Sequence, residues 1–292
     1  MARISVLVET PAFVAGTFRC LPTDDRWRNE NWIGLSHVLA FPRRAVVIER
    51  SRRRRVVANA NHVVLYNPDE TYRRELLSPE GDDSLFVEIR QDAAPALLGD
   101  ASRDRPVFPR IESVVSDVVT LRLHALELGI RSRPGRLDPL VVEEVLTEVV
   151  AAVASAPDDR FAGLRDPESR RAAAALRRRL VDDTRAVLSV TYAEPLALVD
   201  LGRRVGASPF HLARIFRSVT GQSIHRYREG LRLREALRRI RDGDDDLART
   251  AVDVGFASHS HFDDRFRRAF GMPPSAARRL AVGGGAANSI AP

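Results

Sequence analysis

The spacing of apolar residues changes character near residue 90 of this 292-residue chain. Before that point they come in short runs, ISVLV, GLSHVLAF, AVVIE, HVVLY and SLFVEI, separated by turn clusters such as NPDE and SPEGDD. Runs of this length bounded by turn formers predict strands, and several at close spacing predict a sandwich or barrel. From about residue 94 the spacing becomes helical, with Val114, Val118, Leu121, Ala125 and Leu128 on one face. A further helix starts at Asp138, with Pro139 in its first position and Leu140, Val145, Leu146, Val149 and Val153 along its stripe. Another follows Pro167, with Leu176, Leu180, Val187 and Leu188 facing one way. The stretch APDDRFAGLRDP between these two has linker composition, and the GGGAANSIAP tail predicts disorder.

The last third carries one helical unit twice. Residues 207 to 228, ASPFHLARIFRSVTGQSIHRYR, lie on residues 257 to 278, ASHSHFDDRFRRAFGMPPSAAR, without a gap. In the first copy Leu198, Leu201 and Val205 form a short stripe, Gly206 ends it, Ser208 caps the next helix and Pro209 opens it. Leu212, Ile215 and Phe216 face inward there, which leaves Phe210, Ala213, Arg214 and Arg217 outward. In the second copy Leu247, Ala251 and Val254 are the stripe, Gly255 the turn and Ser258 the cap, with Phe262, Phe266 and Phe270 inward. Outward residues are His259, Ser260, Asp263, Asp264 and Arg267. Between the copies Ser223 caps a predicted strut from Ile224 to Arg241, with Tyr227, Leu231, Leu237 and Ile240 inward and an arginine-rich outer face. At 1.5 Å per residue it spans roughly 27 Å, comparable with the ~34 Å between successive major-groove faces on one side of B-DNA.

Charge sharpens this picture. Residues 191 to 282 hold 17 arginines against 11 acidic residues, so +6 of the net +7 sits in the last third. That is the footprint of a surface that displaces counterions from a phosphate backbone, and a solvated basic face gives the same count. All 46 basic residues are arginine, and the single Cys20 cannot form an internal disulfide, which predicts a reducing, cytoplasmic setting. The brief apolar run at the N-terminus and the lack of an 18-residue apolar segment support neither export nor membrane spanning.

The stretches SPFHLARIFRSVTGQSIHRY, RLREAL and DVGFASHSHFDDRFRRAFGMPPSAAR, in that order and spacing, resemble the DNA-binding domain of the AraC/XylS family of bacterial transcription regulators. The resemblance covers Leu196 to Arg279. It implies an all-α domain with two helix-turn-helix motifs, promoter binding and, in most members, activation. Carried over, the family's base-reading positions fall on Phe210, Ala213 and Arg214, and on His259, Ser260, Asp263 and Asp264. Asp264 departs from the polar or basic residue many members carry. Arg217, Arg228, Arg267 and Arg278 fit as phosphate contacts, which hold register without reading sequence. The strand-rich first half resembles the family's cupin-like sensor and dimerisation region by order and pattern.

The expected architecture is therefore α+β. Residues 1–110 form a β-rich cupin-like sensor domain, 111–184 a helical linker and dimerisation region, 185–282 the DNA-binding domain, and 283–292 a disordered tail. The helix-turn-helix motifs fall at about 201–222 and 248–271. The implied partners are double-stranded promoter DNA, RNA polymerase, an unidentified small-molecule effector and a second copy of the chain, with no membrane and no cofactor.

Other features carry less. His211 and His261 hold equivalent places beside Leu212 and Phe262, which fits a packing or backbone-bonding role. The RRRR run at 52–55 reads as a solvated turn, and Glu143, Glu144 and Glu148 as the wet side of a helix. His37, His62 and His124 are too widely spaced to suggest the His and Glu cluster of a metal-binding cupin, so the expected pocket is metal-free. No catalytic constellation, phosphate loop or nucleophile elbow occurs, which argues against an enzyme. The competing reading is a small-molecule-binding or catalytic cupin-like protein whose helical part is a partner-binding module.

Overall fold

The computed structural model describes residues 3–50, 54–98, 107–132, 137–155 and 167–283. The linker at 156–166, the tail from 284, and Arg52 and Arg53 of the arginine run lie outside the described residues.

The N-terminal part contains β1 (Arg3–Glu9), β2 (Phe13–Cys20), β3 (Asn31–Trp32), β4 (His37–Pro42), β5 (Val46–Arg50), β6 (Arg54–Ala58), β7 (His62–Tyr66), β8 (Thr71–Leu76), β9 (Asp82–Ile89) and β10 (Glu112–Val114). A short helix α1 (Ala94–Leu98) precedes β10, and α2 (Asp117–Ser132) and α3 (Pro139–Ala154) follow it. The strands form a six-stranded sheet in the order β1-β2-β9-β4-β7-β10 and a four-stranded sheet β3-β8-β5-β6, with antiparallel pairing in both.

Alternation along the central strands explains the layers, because successive side chains point to opposite faces. On β4 and β7, Val38, Val64 and Tyr66 pack toward the smaller sheet with Val46, Ile48 and Tyr72. Their neighbours Leu39, Phe41, Val63 and Leu65 face the other way, onto Val119 and Leu123 of α2 and Val142, Leu146 and Val149 of α3. A strand buried on both faces reads as a continuous apolar run, as HVVLY does. The strands β2, β3, β6, β8 and β10 carry no such runs: Gly16, Thr17 and Arg19 interrupt β2, arginines interrupt β6 and β8, and β3 and β10 are only two and three residues long.

The helical phases differ from expectation at named places. Val114 belongs to β10 and is exposed, Val118 is exposed, and α2 buries Val119, Leu123 and Leu126 instead. The cause is that α2 is covered on two sides: Leu121 leaves the sheet-facing stripe and packs on the C-terminal core. Leu140 and Leu176 also point to solvent rather than inward.

The C-terminal part contains α4 (Pro167–Thr191), α5 (Leu198–Val205), α6 (Pro209–Thr220), α7 (Ile224–Arg241), α8 (Leu247–Asp253), α9 (His259–Phe270) and α10 (Pro274–Gly283). These build two separate cores. Val181 and Leu188 of α4 join Leu201, Leu212, Ile215 and Phe216, while Phe262, Phe266 and Phe270 join Ala251, Val254 and Ala277. Helix α7 serves both, giving Tyr227 and Leu231 to the first and Leu233, Leu237 and Ile240 to the second.

Polar contacts fasten α7 and α4 to the sheets. Asn61 Nδ2 donates to the Tyr227 carbonyl at 2.9 Å, Asn59 Nδ2 donates to Ser189 Oγ at 2.7 Å, and Arg234 donates to the Val115 carbonyl at 2.9 Å. Arg185 pairs with Glu112 at 2.7 Å, and the buried Glu127 of α2 receives Arg43 at 2.5 Å and Arg241 at 3.0 Å. The arginine-rich outer face expected for α7 is thus corrected in part: Arg234 and Arg241 are buried against the N-terminal half.

Candidate nucleic-acid interface

The two outward helices, α6 and α9, are started and stopped by the same devices. Ser208 Oγ accepts from the His211 amide at 3.3 Å, and Ser258 Oγ accepts from the His261 amide at 3.2 Å. Each satisfies one of the amides that a helix start leaves unpaired. Gly221 and Gly271 then end the helices at φ 72° and 71°, in the left-handed region where a Cβ is strained. Pro209 occupies the first turn of α6, where its missing N–H costs nothing.

With Leu212, Ile215 and Phe216 inside, α6 shows solvent the residues expected of it. Phe210 is 80% exposed, an unusual position for so large a ring, and Arg214 and Arg217 are exposed beside a half-buried Ala213. Neither arginine has a carboxylate partner among the described residues, which leaves both guanidinium groups available for an external acceptor.

On α9, His259, Ser260, Asp264 and Arg267 are exposed and Asp263 is half-buried. The carboxylates are partly answered on their own helix, since His259 Nε2 lies 3.7 Å from Asp263 and Arg268 lies 3.1 Å from Asp264. Arg267 has no such partner among the described residues and repeats the place of Arg217. His261 rests edge-on against Phe256 with 5.5 Å between ring centroids, in keeping with a packing role.

The other two phosphate candidates are tied into the fold. Arg228 donates to the Leu196 carbonyl at 3.3 Å and Arg278 to the Asp245 carbonyl at 2.6 Å. Each keeps further N–H donors, because a guanidinium carries five. Arg265, between the outward residues of α9, turns back to pair with Glu229 through two bonds of 2.8 and 2.7 Å. Sequence periodicity did not separate such anchoring arginines from free ones, since the acceptor comes from a distant helix.

Among the described residues no helix is long and apolar enough to cross a membrane.

Residues 201–280 match the family model of a helix-turn-helix domain. The HTH-type transcriptional regulator GlxA of Rhizobium meliloti (strain 1021) is 37% identical over 86 residues, covering 29% of this chain and 26% of that protein. The HTH-type transcriptional activator RhaS of Pectobacterium carotovorum subsp. carotovorum (strain PC1) is 34% identical over 94 residues, covering 32% of this chain and 34% of that protein. The chain therefore matches about a quarter to a third of the length of these relatives. A solved transcriptional regulator from Chromobacterium violaceum, described as having an AraC-type DNA-binding domain, covers 39% of this chain and 99% of its own at 24% identity, with a TM-score of 0.35.

Proposed function

We propose that this chain, whose residues 201–280 are a helix-turn-helix domain of the AraC type, is a sequence-specific DNA-binding regulator of transcription. The observation that carries the reading is the repeated outward face: α6 and α9 start on serine caps, end on left-handed glycines and expose Arg217 and Arg267 at the same register. In this reading α5–α6 and α8–α9 are two helix-turn-helix units whose second helices enter successive major grooves. Phe210, Ala213 and Arg214 face base edges from the first, and His259, Ser260, Asp263 and Asp264 from the second. Arg217, Arg267, Arg228 and Arg278 take phosphates.

A protein arginine reads guanine best by a bidentate bond to O6 and N7, so Arg214 is assigned the main direct contact of the first unit. Asp263 and Asp264 accept from cytosine amino groups, a weaker device beside phosphate. The strand-rich half, about 1–110, serves as a cupin-like sensor, and residues 111–184 as linker and dimer interface. The DNA-binding part, expected from 185, draws support from α4 as well, because Val181 lies in the core of the first unit. The protein works in the cytoplasm as a homodimer that answers a small-molecule effector and engages RNA polymerase.

The test is selection of genomic fragments by the full-length protein at physiological salt, then competition with non-specific DNA. A bipartite motif with half-sites about one helical turn apart, holding against competitor by ~10³ or more, is the expected result. Binding that only falls with salt, without a motif, overturns the assignment.

A further inference from the structure

Helices α6 and α9 are both 12 residues long, and their caps and ends coincide at an offset of 50 residues. Burial follows the same offset. Leu212, Phe216 and Thr220 are buried where Phe262, Phe266 and Phe270 are, Ala213 and Asp263 are half-buried, and Arg217 and Arg267 are exposed at one register. Two helices framed and seated alike present the same positions to whatever they meet. At the sixth position, exposed in both, α6 carries Arg214 and α9 carries Asp264. One place thus holds a guanidinium, which only donates, in the first unit and a carboxylate, which accepts, in the second.

The aspartate comes with a counter-charge that the first unit lacks. Arg268, one turn further along α9, lies 3.1 Å from Asp264. At that register α6 has Ser218, whose hydroxyl donates to the Ile215 carbonyl at 2.9 Å. An exposed ion pair of this kind adds little stability. Its effect is local, since Arg268 steadies the carboxylate and offsets its repulsion of nearby phosphates. The Asp264 side chain is still 49% exposed, and a carboxylate has room for further donors than one arginine.

In a major groove these two side chains ask opposite things of a base pair. Guanine shows two acceptors, O6 and N7, which suit an arginine, and cytosine shows an amino donor, which suits a carboxylate. The acceptors of guanine and the O4 of thymine repel a carboxylate, and adenine sets its N7 acceptor beside its amino group. Asp264 therefore selects cytosine by exclusion as well as by its own bond.

We propose that the two half-sites are inverted at this one position: Arg214 takes the guanine of a G·C pair, and Asp264, about one helical turn away, takes cytosine on the same strand. The bound site then carries C where a simple repeat would carry G. The proposal deepens the regulator reading and rests on it, with both units docked in the same orientation, as the shared register of Arg217 and Arg267 supports.

The test is selection from a randomised duplex library by the full-length protein at physiological salt, with the parent, Arg214→Ala and Asp264→Arg side by side. The parent is expected to enrich G in one half-site and C ~10 base pairs away. Arg214→Ala should relax the G and so mark which half-site is which. Asp264→Arg should keep that G, a sign that the variant is folded and seated, and change the C to G. In titrations of single-base variants, exchanging the C for G should weaken the parent roughly tenfold or more and tighten Asp264→Arg. Asp264→Ala should lose the preference without acquiring another. A parent indifferent to that base, or an Asp264→Arg protein that still selects C, overturns the proposal while a recovered motif leaves the regulator reading standing. If the parent enriches no motif at all, the regulator reading falls and this assignment with it.

Discussion

The side-chain amide of Asn59 donates a 2.7 Å hydrogen bond to the hydroxyl of Tyr227, joining the β6–β7 turn to a fully buried ring on α7 across 168 positions of sequence. The same tyrosine packs edge-on against Phe216 of α6 at 5.3 Å. One side chain thus touches both the sheet half and the back of an outward-facing helix.

Tyr227→Phe should lower unfolding free energy by ~1 kcal/mol, the usual net worth of one buried hydrogen bond, while Tyr227→Ala should lose ~3–5 kcal/mol with the ring. Urea denaturation of the two variants separates the bond from the packing. A Tyr227→Phe midpoint equal to the parent's would mean that the Asn59 contact contributes nothing.

Arg214→Ala should weaken specific DNA binding by ~1–3 kcal/mol and relax preference at one base position. Arg217→Ala should instead weaken all sequences alike and reduce the salt slope by about 1. Titrations of a selected motif and its single-base variants at several salt concentrations check both. Unchanged affinity and base preference in Arg214→Ala would remove it from the reading face.

Gly271→Ala meets open space, so its penalty is the left-handed backbone alone, ~1–2 kcal/mol. Gly255→Ala should cost more. Its φ is 94°, and a Cβ there would stand 2.4 Å from the Ala193 carbonyl oxygen, so main chain has to move. Thermal unfolding of the pair should rank them in that order, and the reverse order would contradict the packing of the second turn against the α4–α5 loop.

Asp182 on α4 is buried beside Arg185, and burial pushes its carboxyl up to about 7, against the opposing pull of Arg185. A folded pKa above the unfolded value near ~3.9 means the native state binds the proton more tightly, so this contribution is complete below ~3.9 and is lost as pH rises to about 7. Asp182→Asn should therefore gain stability relative to the parent across that window, with the difference level above it. Denaturation midpoints of both proteins on a pH series measure the difference, and a gap that stays constant with pH would refute the assignment.

Local signals were legible in the sequence, and long-range ones were not. Ser208, Gly221, Ser258 and Gly271 act within a few residues of themselves, so the caps and ends of α6 and α9 fall where the spacing puts them. The same spacing misphased α2, because Leu121 answers to a core formed by α8 and α9 while Val119 and Leu123 answer to the sheet. Arg234 and Arg241 read as surface charge because their partners, Asp117 and Glu127, lie more than a hundred positions earlier.

Two hydrophobic cores on one continuous helix also set how the protein would let go of a duplex. Each of the two units proposed to face DNA can open without dissolving the other's interior, since Phe216 and Phe266 share no cluster. If both units bind as proposed, then while one stays seated the roughly 27 Å strut would keep its twin within reach of its own half-site, so that rebinding would be intramolecular and outpace escape. Release would then proceed hand over hand, with a residence time set by the rare moment when both grips are loose.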